Sequence, residues 1–223
     1  MSTVDERVDE RVSERVVERV DGVLGVSPVI PVVVIEDSAD AVPLAQALLR
    51  GGVGIIEITL RTPAALAAIE MVADQVPEML VGAGTVITPS QVEAVTAAGA
   101  GFIVTPGAPD GVLRAALGSG LPLLAGASTI TEMMRLAEHG LGAMKFFPAE
   151  ASGGRDYLAA VAGPLPHLRF CPTGGITPAT APSYLALPSV ACVGGSWLTP
   201  RSAITEGAWH EIEALARDTA ALR

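Results

Sequence analysis

From residue 29 onward the chain alternates short, almost fully apolar runs with longer Ala- and Leu-rich segments whose apolar positions recur at helical spacing. The apolar runs are Val29-Glu36, Ile55-Leu60, Leu80-Val86, Phe102-Pro106, Leu121-Ala127, Ala143-Pro148, Arg169-Thr173 and Val190-Trp197. Runs of this length, rich in Val and Ile and bounded by Gly or Pro, predict strands buried on both faces. Between them the pattern predicts helices over about 39–50, 63–74, 89–98, 110–117, 131–139, 154–162, 178–186 and 203–220. Start signals support several of these: Thr62-Pro63, Thr88-Pro89, Thr131 with Glu132, and Thr177-Pro178. A strand–helix unit repeated eight times predicts an α/β protein, a (β/α)8 TIM barrel. The rival, a doubly wound sheet, normally carries a Gly-rich dinucleotide fingerprint after its first strand, and none follows Val34.

Ahead of the barrel the pattern changes. Val4, Val8, Val12, Val16 and Val20 recur every four residues with Glu-Arg pairs between them. On a helix of 3.6 residues per turn this spacing winds an apolar stripe slowly around the surface. The reading is an amphipathic helical extension over 1–27, ending near Gly22 and Gly25, followed by a barrel domain over 28–223.

Composition narrows the function. Of 223 residues, 50% are hydrophobic and 17% charged, which suits a cored α/β domain and excludes a disordered chain. A formal charge of −10 argues against a nucleic-acid partner, because phosphate backbones attract basic surfaces. No apolar stretch reaches the ~20 residues of a membrane span, and the charged N-terminus does not read as a signal peptide, so no membrane role is expected. Cys171 and Cys192 read as free buried thiols, as expected of a cytoplasmic protein. The three histidines are scattered with no partner at ligand spacing, so no metal site and no cofactor are expected.

One residue type is conspicuous by its count. Lys145 is the single lysine, set in the apolar run Met144-Lys145-Phe146-Phe147, whereas the other thirteen cationic side chains are arginines. A surface lysine tolerates replacement by arginine, but a lysine that must shed its proton and attack a carbonyl does not. The alternative is a snorkelling lysine at a strand end. Glu57, flanked by Ile56 and Ile58, is the second costly group. Strand alternation predicts Glu57, Thr59 and Arg61 on one face. Two readings fit: a Glu–Arg or Glu–Lys ion pair closing the barrel mouth, or a general acid–base with Arg61 gripping an anion. Val81-Gly82-Ala83-Gly84-Thr85 admits close approach at the third strand, with a hydroxyl at its tip. The last two strands end in Thr173-Gly174-Gly175 and Gly194-Gly195-Ser196. Paired glycines there read either as tight turns or as the phosphate site that barrels place after strands seven and eight.

Taken together, Glu57-Ile58-Thr59-Leu60-Arg61-Thr62, Val81-Gly82-Ala83-Gly84-Thr85-Val86, Lys145-Phe146-Phe147-Pro148-Ala149-Glu150, Cys171-Pro172-Thr173-Gly174-Gly175-Ile176 and Gly194-Gly195-Ser196-Trp197 resemble the class I 2-keto-3-deoxy-6-phosphogluconate (KDPG) and 4-hydroxy-2-oxoglutarate aldolases, from Pro31 to about Trp197. The resemblance implies a homotrimeric, metal-independent lyase with a Schiff base on Lys145 and Glu57 as proton shuttle. It implies that Arg61 and Thr85 hold the carboxylate of pyruvate and that Phe147 is an apolar wall. It places the substrate's phosphate at Gly174, Gly175, Gly194, Gly195 and Ser196. Thr173 matches a position whose hydroxyl bears on substrate stereochemistry and points to the gluconate epimer. The expected reaction is reversible cleavage to pyruvate and glyceraldehyde 3-phosphate. The alternative is 4-hydroxy-2-oxoglutarate or oxaloacetate as substrate of the same lysine.

Overall fold

The computed structural model of the protein describes residues 20–222. The E-R-V repeat, apart from Val20, lies outside them. Residues 20–25 are helical and bury Val20, Val23 and Leu24 against the barrel. Eight parallel strands follow: β1 (Val29–Val33), β2 (Ile55–Thr59), β3 (Leu80–Gly84), β4 (Phe102–Val104), β5 (Leu123–Ala127), β6 (Ala143–Phe146), β7 (Arg169–Pro172) and β8 (Val193–Gly195). They pair in sequence order, and β1 also pairs with β8. Between β7 and β8 the wall is completed by isolated bridges, Phe170 to Val190 and Thr173 to Gly194, rather than by a continuous ladder. The expected (β/α)8 barrel is the fold observed.

The helices α1 (Ala41–Arg50), α2 (Ala65–Gln75), α3 (Pro89–Ala97), α4 (Asp110–Gly118), α5 (Ile130–Glu138), α6 (Gly154–Val161) and α7 (Ala181–Leu185) each follow the strand of the same number. The expected last helix over 203–220 is two: α8 (Arg201–Thr205) and α9 (Trp209–Ala220). Gly207 sits between them at φ 64°, in left-handed backbone that stops the first helix and that glycine adopts without strain. Helix α5 is capped by Thr129, not Thr131. The Thr129 hydroxyl accepts from the Glu132 N–H, while the Glu132 carboxylate accepts from the N–H groups of Ser128 and Thr129. Helix α3 starts at Thr88-Pro89 as expected, and the start is a capping box completed by Gln91. Helix α7 is shorter than its predicted span, starting at Ala181 after a turn in which the Thr177 and Thr180 side chains each accept from the other residue's N–H.

Strands end earlier than their apolar runs, because the run continues into the loop at the C-terminal mouth. Register fixes which side chains enter the barrel. Val32 lies beside Glu57, and Glu57 beside Gly82. On the opposite wall Gly126 lies beside Lys145, and Lys145 beside Cys171. The outward neighbours pack under the helices; Phe146, for instance, stacks on Tyr157 of α6 at 5.5 Å between ring centroids.

Candidate active site

Strands β2 and β6 stand on opposite walls of the barrel, and each contributes one inward charged group. Glu57 and Lys145 are 3% and 6% exposed. They meet across the interior, with Lys145 Nζ donating to Glu57 Oε1 at 3.2 Å. A buried carboxylate without a partner costs several kcal/mol, and a paired one much less. Of the two readings of Glu57, the ion-pair geometry is thus present, with lysine as the partner. It brings an amine and a carboxylate within one hydrogen bond, an arrangement that covalent catalysis can use.

The surroundings are shaped around this contact. A Cβ built on Gly84, two residues further along β3 than the register partner of Glu57, would lie 2.1 Å from Oε1 and 2.7 Å from Cδ. Glycine at that position therefore leaves the volume the carboxylate fills. A Cβ on Gly82 would lie 2.3 Å from the Phe102 ring, which occupies the adjacent interior space. Gly126, beside Lys145, gives up its side chain to the β4 tip: its Cβ would fall 2.3 Å from the Pro106 carbonyl, and its N–H donates to the buried Thr105 hydroxyl at 3.1 Å. Thr59 is also fully buried, donating to the Val33 carbonyl at 2.8 Å.

The other expected site residues line the mouth. Lys145 Nζ lies 5.3 Å from the centroid of the half-buried Phe147 ring, close enough for cation–π attraction. Thr85, at the tip of β3, is half-buried and holds φ 58°, a left-handed backbone that a β-branched residue adopts only when its surroundings enforce it. Arg61 is exposed on the rim, not inside. Alternation fails there because β2 ends at Thr59, and the turn closed by Arg61 N–H to Thr59 C=O redirects the chain. Among the described residues Arg61 forms no ion pair, which leaves its guanidinium facing solvent at the mouth.

At the far side of the mouth the Gly174 and Gly175 turn holds φ of 105° and 82°. Thr173 is buried and bridges to Gly194, whose absent Cβ would lie 2.2 Å from the Thr173 hydroxyl oxygen. Gly195 is buried under the Trp197 ring, and Ser196 is exposed. The structure therefore gathers the expected residues at one end of the barrel, with Lys145 and Glu57 deepest. Sequence reasoning did not single out the role of Gly84. Gly84 stood in a motif already noted, but only the fold reveals what its missing side chain accommodates.

A parallel barrel whose C-terminal mouth holds a buried lysine–carboxylate pair defines a class of protein, the barrel lyases and related enzymes that work through a lysine amine. Comparison with known proteins makes this specific. The family model for KDPG and KHG aldolase matches residues 20–215. The KHG/KDPG aldolase of Escherichia coli strain K12 is 50% identical over 198 residues, covering 89% of this chain and 93% of that protein. The 2-dehydro-3-deoxy-phosphogluconate aldolase of Dickeya dadantii is 50% identical over 199 residues, covering 89% and 93%. Among solved structures, the KDPG aldolase of Legionella pneumophila, with pyruvate captured as a covalent carbinolamine, superposes with a TM-score of 0.89 at 46% identity, covering 91% of this chain and 98% of that one. This chain belongs to the KDPG and KHG aldolase family.

Proposed function

We propose that the protein is a metal-independent class I aldolase that reversibly cleaves 2-keto-3-deoxy-6-phosphogluconate to pyruvate and glyceraldehyde 3-phosphate. The observation that carries this reading is the 3.2 Å contact between Lys145 and Glu57 inside the barrel, joined to family membership. The Lys145 amine, its proton passed on, adds to the C2 ketone of the substrate. Loss of water gives a protonated imine. That cation accepts the electron pair of the breaking C3–C4 bond. Glu57 takes the proton of the C4 hydroxyl as the aldehyde leaves, and returns one to C3 of the enamine. Hydrolysis then frees pyruvate and Lys145. Arg61 and Thr85 hold the pyruvyl carboxylate, Phe147 walls the three-carbon pocket, and Thr173 faces the hydroxyl-bearing carbons. The glycine turns at 174–175 and 194–196 take the phosphate, with backbone N–H groups and the Ser196 hydroxyl as donors.

A second reading uses the same lysine on 4-hydroxy-2-oxoglutarate or oxaloacetate, and the E. coli relative's KHG/KDPG name supports keeping it. Turnover measured on phosphorylated and unphosphorylated substrates separates the two. Further parts of the proposal are a homotrimer, testable by light scattering, a cytoplasmic location, and the division into an extension over 1–27 and a barrel over 28–223. Among the described residues no helix is long and apolar enough to cross a membrane, and no His, Cys, Asp and Glu side chains cluster at metal-holding distance. The test of the whole reading is borohydride reduction in the presence of pyruvate, with peptide mass mapping. A pyruvyl adduct confined to Lys145 is expected; a folded protein with no adduct refutes the imine mechanism.

A further inference from the structure

The Gly174–Gly175 turn does not hold its shape alone. Residues Ala149 and Glu150, just beyond the β6 strand that carries Lys145, lie along it: Ala149 N–H donates to Thr173 C=O at 2.8 Å and Glu150 N–H to Gly174 C=O at 3.1 Å. The stem of Glu150 occupies the place of a Gly175 side chain, since a Cβ there would fall 2.7 Å from Glu150 Cγ and 2.8 Å from its Cβ. The turn thus lies against Glu150, joined to it through the backbone and with the Glu150 stem in the space a Gly175 side chain would take.

Glu150 is in turn held from the other side. The Tyr184 hydroxyl on α7 donates to Glu150 Oε1 at 2.6 Å, and Tyr184 is only 1% exposed. Burial and the neighbouring carboxylate push the phenol well above its usual pKa, so it stays a donor. Gly154, at φ 61°, leaves room for the contact: its Cβ would lie 3.1 Å from the Tyr184 hydroxyl and 3.6 Å from Glu150 Oε2. A carboxylate so near a phosphate-binding turn would repel the anion if it swung freely. Tethered to the phenol, it serves as a fixed backing.

The geometry points to Tyr184 and Glu150 as positioning residues that set the tail-phosphate turn and thereby the preference for phosphorylated over unphosphorylated substrate. This rests on the phosphate-end reading of Gly174 and Gly175 proposed above. Neither residue takes part in the imine chemistry, so their loss moves substrate selection and leaves covalent turnover in place.

The experiment compares kcat and KM of wild type, Tyr184→Phe, Glu150→Gln and Glu150→Ala on 2-keto-3-deoxy-6-phosphogluconate and on 4-hydroxy-2-oxoglutarate. Losing a part-buried hydrogen bond to a carboxylate predicts a KM increase of about tenfold for the phosphorylated substrate in Tyr184→Phe and Glu150→Ala. On the unphosphorylated substrate kcat/KM should stay within about twofold of wild type, and Glu150→Gln, which still accepts from the phenol, should restore the phosphorylated KM. Equal losses on both substrates, no loss at all, or a Gln variant as impaired as the Ala variant would each overturn the assignment. Should Tyr184→Phe not fold, the Gln and Ala pair at 150 carries the test unaided. A wild type that does not prefer the phosphorylated substrate removes the phosphate-end reading, and this proposal with it, before any variant is compared.

Discussion

Substituting Gly84 by alanine isolates the placement of Glu57 from its chemistry. The added Cβ would lie 2.1 Å from Oε1, 2.6 Å from Cγ and 2.7 Å from Cδ of Glu57. Ordinary non-bonded contact needs roughly 3.5 Å, so the carboxylate must retreat by about 1 Å or more. What it meets is a side chain, from Cγ to the carboxylate, and not backbone, so the side chain turns about its own torsions before the strands move. The structural cost should stay within the ~1–3 kcal/mol typical of overpacking. The functional cost should be larger, because a ~1 Å misplacement of a catalytic group can lower turnover about 10²-fold. We expect kcat for aldol cleavage to fall about 10²-fold while thermal unfolding shifts by a few degrees. Borohydride trapping of pyruvate on Lys145 should persist, since the nucleophile itself is not displaced. The decisive control is a double-mutant cycle: in a Glu57→Ala background, Gly84→Ala should add almost nothing, because the group it displaces has gone. Additive losses across that cycle, or wild-type kcat in Gly84→Ala, would refute the reasoning.

Three further outcomes are expected. Lys145→Arg should abolish the borohydride-trapped adduct and covalent turnover, checked by mass mapping and by single-turnover assay; comparable activity would exclude Lys145 as nucleophile. Glu57→Gln should cut kcat by roughly 10²–10⁴ while some imine still forms, checked by comparing turnover with trapping yield. The Glu132 carboxyl is held below its usual pKa, foremost by the hydrogen bond from the Ser128 N–H. A depressed carboxyl stabilises the fold above its unfolded-state pKa and loses that contribution as pH falls through the folded one. The melting-temperature gap between wild type and Glu132→Gln should therefore be widest near neutrality and close in acid; a gap constant across that range would contradict the capping role.

Much of the architecture could be read from the chain because its cues are local. Eight apolar runs separated by helical stretches leave few folds besides a barrel, and a lone lysine among phenylalanines marks its own peculiarity. The reading failed where geometry depends on where a strand stops. Alternation puts Arg61 on the face of Glu57, but alternation holds only while the strand lasts, and β2 ends at Thr59. The start signal of α5 reads two residues late because Thr129 and Thr131 offer the same hydroxyl, and only helix phase selects the one that reaches the Glu132 N–H. The break at Gly207 was hidden because one glycine within an Ala-rich stretch does not by itself end a helix. What could not be read at all was negative space. Gly84 and Gly154 matter through atoms they lack, and the neighbours that would meet those atoms lie far along the chain or across a turn.

The bridged seam between β7 and β8 gives ligand and fold a shared fate. The two turns proposed to take the phosphate stand on opposite sides of that seam, one after each strand. Every other junction in the wall is a ladder of backbone bonds; this one is closed at its upper end by the single bridge from Thr173 to Gly194. On the proposed reading, an anion held by both turns would act as a clasp across the joint. Occupancy would then slow amide exchange first in residues 170–176 and 190–196, and stabilise the fold by mass action, by about 2.7 kcal/mol at a hundred times Kd, so that the unfolding temperature rises. The substrate's tail would thus serve as a removable rivet in the enzyme's own wall.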